Sequence, residues 1–120
     1  MRKHIPDEVL VFMAGKFRML SDPTRLSILR TLMAKGERNV GQVVAETGGT
    51  QANVSKHLKL LAAAGLIARR KKGLNVLYRM DDPVVERICH LVCETIFDEL
   101  EAQAEQSRKL LKDKSRGDTK

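Results

Sequence analysis

The chain has 120 residues, carries 22 Lys plus Arg against 15 Asp plus Glu, and has a formal net charge of +7. That length suits one small domain rather than two independent cores, and with three Phe, one Tyr and no Trp it has little to stack on unpaired bases. The opening MRKHIPDEVL lacks the continuous apolar run of a signal peptide, and no stretch is long enough to span a membrane. A cytoplasmic location and no membrane partner are expected, with the two cysteines as thiols in a reducing compartment.

Pro6-Asp7-Glu8 starts a first helix, with acids beside the positive end of its dipole. Val9, Leu10, Phe12, Met13 and Phe17 give it a broad apolar face, read as a packing face. Ser21-Asp22-Pro23 starts a second helix, Asp22 as cap and Pro23 in the first helical position. Leu26, Leu29, Leu32 and Met33 are expected to face inward, with Ile28 beside them, and Gly36 to end the helix. A short third helix is expected from Val40 to Thr47, capped by Asn39 or Gly41 and broken by Gly48-Gly49. Thr50 caps a fourth helix, from Gln51 to about Ala64, that stops at Gly65. Two short helices with a glycine break between them fit a helix-turn-helix. Strands over 66–71 and 76–80 flank Lys72-Gly73-Leu74-Asn75, a β-hairpin or wing with a basic tip. Asp81-Asp82-Pro83 then starts a last helix, expected to reach Leu110 or Leu111 before a polar tail.

The stretch 50–80 holds seven basic residues, Lys56, Lys59, Arg69, Arg70, Lys71, Lys72 and Arg79, and no acid, which leaves 15 residues of each sign elsewhere. The whole formal charge excess therefore sits in the helix-turn-helix and wing, as expected for a surface that binds a polyanion. In helical phase, Val54, Leu58 and Leu61 form the core face of the fourth helix. Ala52, Lys56, Lys59 and Ala63 lie roughly opposite, flanked by Asn53 and Ser55, a face that fits a major groove. Gln51, Asn53 and Ser55 sit where a helix-turn-helix places base contacts; Gln and Asn can pair with adenine, and Lys can reach guanine or phosphate. His57 falls between the faces, either donating to a phosphate or half-buried. A merely solvated lysine face is the bland alternative, set aside because a basic wing with Arg69, Arg70, Lys71, Lys72, Asn75 and Arg79 follows at once.

LSDPTRLSILRTL, QANVSKHLKLLAAAGLI and the hairpin ending LYRM together resemble the ArsR/SmtB family of bacterial winged-helix repressors, over about Phe17 to Met80. The resemblance implies a homodimer built through the first and last helices, the fourth helix of each copy in a major groove and the wing along the backbone or minor groove. It also implies release from DNA on binding a metal, metalloid or thiol-reactive signal. The last helix asks for a partner on its own account. Val84, Val85, Ile88, Cys89, Leu91, Val92, Cys93, Ile96, Phe97 and Leu100 cover about two-thirds of its circumference, and a second copy related by a two-fold axis would cover so wide an arc. A palindromic operator with half-sites about one turn apart follows.

The chain departs from the family at its metal sites. The third helix carries Val43, Val44 and Ala45 where a Cys-x-Cys is the family's thiophilic site. Asp82 and Asp98 align with two positions of the family's zinc site, but Val84 and Thr95 occupy the others. The wing tip has Leu74 where Arg is frequent. What remains for sensing is Cys89 and Cys93, one helical turn apart with Cβ atoms about 5–6 Å apart. A disulfide wants about 3.5–4.5 Å and would strain the helix. Two thiolates at this spacing suit a thiophilic ion such as arsenite, copper(I) or mercury, with His90 as an extra ligand or thiolate partner. The alternative is that both cysteines pack as small hydrophobes.

The expected fold is mainly α with a small β-hairpin, a winged helix-turn-helix in the order helix, helix, helix, helix, strand, strand, helix. Residues 1–111 form the DNA-binding and dimerisation domain and 112–120 a disordered polar tail. The expected function is repression through double-stranded DNA, relieved by a thiol-directed signal; no cofactor is required. A repressor with structural cysteines, and a protein-interaction adaptor, are the alternatives. His4, His57 and His90 are scattered, and no nucleophile–base pair or phosphate-cradling glycine motif appears, so no enzyme is expected.

Overall fold

The computed structural model describes residues 4–117. Their elements run α1 (Asp7–Met19), α2 (Pro23–Lys35), β1 (Arg38–Asn39), α3 (Val40–Thr47), α4 (Gln51–Ala63), β2 (Ile67–Lys72), β3 (Asn75–Met80) and α5 (Pro83–Gly117). Two compact units result, one ending at Pro83 and the other beginning at Val84.

The S-D-P-T-R run is a joint between α1 and α2. Asp22 accepts a hydrogen bond from the Arg25 N–H at 2.9 Å, and Pro23 takes the first helical position, where its missing N–H costs nothing. Arg25 then reaches back to the end of α1. Its Nε donates to the Met19 carbonyl and its Nη2 to the Arg18 carbonyl, each at 3.0 Å. Ser21 Oγ donates to the same Arg18 oxygen at 2.7 Å. Carbonyls orphaned at one helix end are thus satisfied by the residues that open the next. A second tie, the ion pair of Lys16 with Asp82, joins α1 to the end of the winged region.

Asn39, not Gly41, caps α3. It forms a full capping box, accepting from the Gln42 N–H at 2.8 Å while Gln42 accepts from the Asn39 N–H at 2.9 Å. Gly48 ends α3 at φ 73, a left-handed conformation that glycine adopts without penalty. A Cβ at Gly49 would stand 3.0 Å from Val54 Cγ2, so the turn into α4 is also tight in space. Thr50 Oγ1 then accepts from the Asn53 N–H at 3.2 Å and starts α4.

Ile28, Leu29 and Leu32 of α2, Val43 of α3, Val54, Leu58 and Leu61 of α4, and Leu66, Ile67 and Tyr78 make the buried core of the winged unit. The expected inward position of Leu26 is corrected: it is 40% exposed. The buried stripe of α2 centres on Ile28, Leu29, Thr31 and Leu32, and Leu26 lies more than roughly 100° of helical turn from that centre. α1 buries none of its residues within this chain; Phe12 is 76% and Phe17 52% exposed.

The sheet has three strands in the order β1-β3-β2, all antiparallel. The sequence reading missed β1, which pairs Arg38 with Tyr78 and Asn39 with Leu77. Two residues are too few to show a period, and the strand exists because β3 offers an edge. The hairpin is tighter than expected: Lys72 pairs with Asn75, leaving a two-residue turn of Gly73 (φ 61) and Leu74. A positive φ at the first turn position followed by a negative one fits type II′.

The expected end of the last helix at Leu110 or Leu111 is also corrected, because α5 continues to Gly117; residues 118–120 lie outside the described set. Lys112, Lys114 and Arg116 sustain the helix, since these side chains have good helix propensity and suit the negative end of the dipole. At 35 residues, α5 is about 52 Å long. No described helix is long and apolar enough to cross a membrane.

Candidate nucleic-acid interface

The fully buried Val54, Leu58 and Leu61 fix the rotation of α4 about its axis. Gln51, Ala52, Asn53, Lys56 and Lys59 are consequently exposed, and Ser55 and His57 are half-buried. Ala52, Ser55, Lys56, Lys59, Leu60 and Ala63 line one shallow open depression. Small side chains at Ala52, Ser55 and Ala63 keep that surface low, so another surface can approach the helix closely, while two lysines flank it. Leu60 belongs to this surface at 39% exposure and was missed in the sequence. Its place one turn after Lys56 carries it there in phase. An apolar side chain at such a place can meet a thymine methyl group.

His57 has its Nδ1 buried without a hydrogen-bond partner, which leaves only Nε2 to meet a phosphate. The imidazole lies close enough to Asp22 to act on its charge. The Asp22 carboxyl is held below its usual range first by the hydrogen bond from the Arg25 N–H, with charge on Arg25 and His57 adding to it.

The wing splits its cations between two faces. Strand alternation and the β2–β3 register put Arg70, Lys72 and Arg79 on one side, with Ala68 and Leu77. Arg69 and Lys71 share the side that carries the buried Ile67 and Tyr78, where that side runs out beyond the core. Asn75 is exposed at the start of β3, and Leu74 projects fully into solvent at the tip. The fold also returns an acid to this acid-free stretch. Glu37 accepts from Arg70 Nε at 2.7 Å and from Arg70 Nη2 at 2.5 Å, a bidentate pair. The Arg70 hydrogen bonds hold the Glu37 carboxyl below the usual range, with Arg70, Arg79 and Lys72 charges acting the same way. Arg70 is raised in turn, chiefly by the same hydrogen bonds. Glu37 had no sequence signal, since it lies 33 residues from its partner.

On α5, Cys89 is half-buried and Cys93 exposed, both as free thiols; His90 is exposed beside them. Burial pushes the Cys89 thiol up, and nearby Cys93 and Glu86 add to the shift. Among the described residues no three His, Cys, Asp or Glu side chains are grouped to hold a metal ion. Asp82 is buried and paired with Lys16, so one of the two acids aligned with the family's zinc site is already committed to a lysine. The donors within one chain do not fit a metal site of the family's kinds.

A capped two-helix turn, a basic exposed face on its second helix and a β-hairpin wing define a winged helix-turn-helix DNA-binding protein. A family profile described as a helix-turn-helix domain matches residues 20–70. The chain is 32% identical over 93 residues to the HTH-type transcriptional regulator KmtR of Mycobacterium tuberculosis, covering 78% of this chain and 68% of that one. It is 32% identical over 104 residues to the arsenical resistance operon repressor of Escherichia coli, covering 87% and 89%. Among solved structures, a homodimeric winged helix-turn-helix DNA-binding domain from Mycobacterium bovis superposes with a TM-score of 0.72 at 30% identity, covering 83% of this chain and 94% of that one. The chain belongs to the ArsR/SmtB family of winged helix-turn-helix transcriptional repressors. It is a DNA-binding regulator and not an enzyme.

Proposed function

We propose that two copies of this chain bind a palindromic operator in the cytoplasm, and that residues 1–111 of each work together as the DNA-binding and dimerisation domain. The observation that carries this reading is the orientation of α4: a fully buried Val54-Leu58-Leu61 stripe turns Gln51, Asn53, Ser55, Lys56 and Lys59 outward around a low surface. Gln51, Asn53 and Ser55 read base edges. Lys56, Lys59 and His57 hold the backbone beside Ala52, and Arg69, Arg70, Lys71, Lys72, Asn75 and Arg79 carry the wing contact. The dimer is supported by apolar faces left exposed on α1 (Val9, Leu10, Phe12, Phe17) and α5 (Leu91, Val92, Ile96, Phe97, Leu100). The homodimeric Mycobacterium bovis relative supports it as well.

Release from DNA is assigned to a thiol-directed signal at Cys89 and Cys93, with His90 as an accessory group. The two thiols stand one turn apart on a helix of the dimer, and the Escherichia coli relative represses an arsenical resistance operon. Within one chain Cys93 is the more exposed of the two thiols. The test is a titration of a duplex, selected from a random library with the reduced protein, followed by arsenite, copper(I) or oxidant. Loss of binding in the wild type and its retention in Cys89→Ser/Cys93→Ser is expected. Equal loss in both proteins removes the thiols from the mechanism, and a wild type indifferent to every reagent leaves Cys89 and Cys93 as packing residues.

A further inference from the structure

We propose that Glu37 is an internal competitor for operator DNA, withholding Arg70 from the phosphate backbone and so setting both the affinity of the repressor and its response to salt. The proposal rests on the reading of the wing as a DNA contact. Its geometry lies entirely within the winged unit. Glu37 closes the connection from α2 and immediately precedes β1, which is hydrogen-bonded to β3. Its carboxylate is therefore carried by the body of the fold and reaches across the sheet to β2. There it holds both Nε and Nη2 of Arg70, at 2.7 and 2.5 Å. That fork is the geometry in which a guanidinium also takes a phosphate, so one occupant excludes the other from the same two N–H groups.

The consequence is specific. Lys72 and Arg79 share the wing face with Arg70 but form no ion pair among the described residues. When such a cation meets a phosphate, counterions leave the DNA and affinity acquires a salt dependence. To give that Nε–Nη2 fork to a phosphate, Arg70 must first leave Glu37. While Glu37 holds the fork, the phosphate it would meet keeps its condensed counterions, so Arg70 adds little to the salt slope. The wild-type protein therefore carries a wing cation that is largely withheld from the DNA. The side chain of Arg70 remains 49% exposed, so the pair is open to a competing anion.

The experiment is a thermodynamic cycle on the full chain, using a labelled duplex selected from a random library and salt from about 50 to 200 mM. Glu37→Gln should tighten binding about 2- to 5-fold at physiological salt, the range open to an exposed ion pair. It should also steepen the slope of log K against log salt by about 0.9 per protomer. Arg70→Gln should weaken the wild type less than Lys72→Gln does, and should abolish the gain in the Glu37→Gln background. Thermal melts of all four proteins confirm that each is folded. Weaker or unchanged binding by Glu37→Gln overturns the proposal, as does a gain that persists without Arg70, which would make Glu37 only part of the general field. Lys72→Gln separates the two layers of the argument. If it weakens binding while Glu37 and Arg70 show no coupling, only the competitor role fails. If Lys71→Gln and Lys72→Gln both leave binding and slope untouched, the wing is off the DNA and the underlying reading fails too.

Discussion

Replacing Gly49 by Ala probes how the turn sets α4. The added methyl would lie 3.0 Å from Val54 Cγ2, at least about 0.5 Å inside the optimal separation of two carbons. Val54 is fully buried and β-branched, so its χ1 has little freedom to yield. Overpacking of this sort costs about 1–3 kcal/mol. Against it stands the lower entropy of an unfolded chain with Ala, about 0.4–1 kcal/mol in the other direction. The clash is the larger effect, and Gly49→Ala should lose about 1–2 kcal/mol net. Urea unfolding at one fixed protein concentration measures this, since a dimer's midpoint moves with concentration. In Gly49→Ala/Val54→Ala the clash has lost its partner, so the double variant should lose less than the sum of the singles. The same substitution should weaken duplex binding although no contacting side chain has changed, because relief of the clash moves the start of α4. A Gly49→Ala protein as stable as the wild type, or strict additivity in the double variant, would refute this account of the turn.

The two adjacent leucines of α4 should separate stability from binding. Leu61→Ala empties a fully buried site and should cost about 2–5 kcal/mol, whereas Leu60→Ala should stay within about 0.5 kcal/mol yet weaken the duplex, as denaturation and anisotropy together would reveal. Acid should undo the α2 cap. The Asp22 carboxyl is lowered in the folded state, so its stabilisation is complete above the ordinary Asp value and is lost as pH falls through the lowered one. Asp22→Asn, which keeps an acceptor but cannot titrate, should show a flatter acid limb in melting temperature. Iodoacetamide should label Cys93 before Cys89, by mass spectrometry of peptides. The Cys89 rate should keep rising beyond the pH at which an ordinary thiol has ionised, because its pKa is raised; equal rates at both sites would contradict the difference in burial.

The local punctuation of this fold is legible in its sequence. Asp22-Pro23, Thr50, Gly36 and Gly48 stand where the helices start and stop, because caps and left-handed glycines act within one turn of chain. The α4 stripe was legible for a related reason: Val54, Leu58 and Leu61 repeat with the helix, and burial follows that repeat. What the sequence hid depends on partners distant in the chain. β1 is a strand only because β3 lies beside it, Glu37 meets Arg70 across 33 residues, and Lys16 meets Asp82 across 66. Leu26 was misplaced by assuming that every leucine of α2 serves one face, when the stripe is narrower. The end of α5 was hidden because lysine and arginine extend a helix readily, so the polar run after Leu111 does not mark where it stops.

Hydroxyl-radical footprinting of the reduced protein on a selected duplex tests the central claim most directly. If two copies each place α4 in a major groove, two protected patches should appear on the same face of the DNA, about one helical turn apart. Lys56→Gln/Lys59→Gln should erase both together and flatten the salt dependence by about 0.9 for each phosphate left without its lysine. A single patch, or protection that survives removal of both lysines, would contradict the account of α4 as the element that meets the operator.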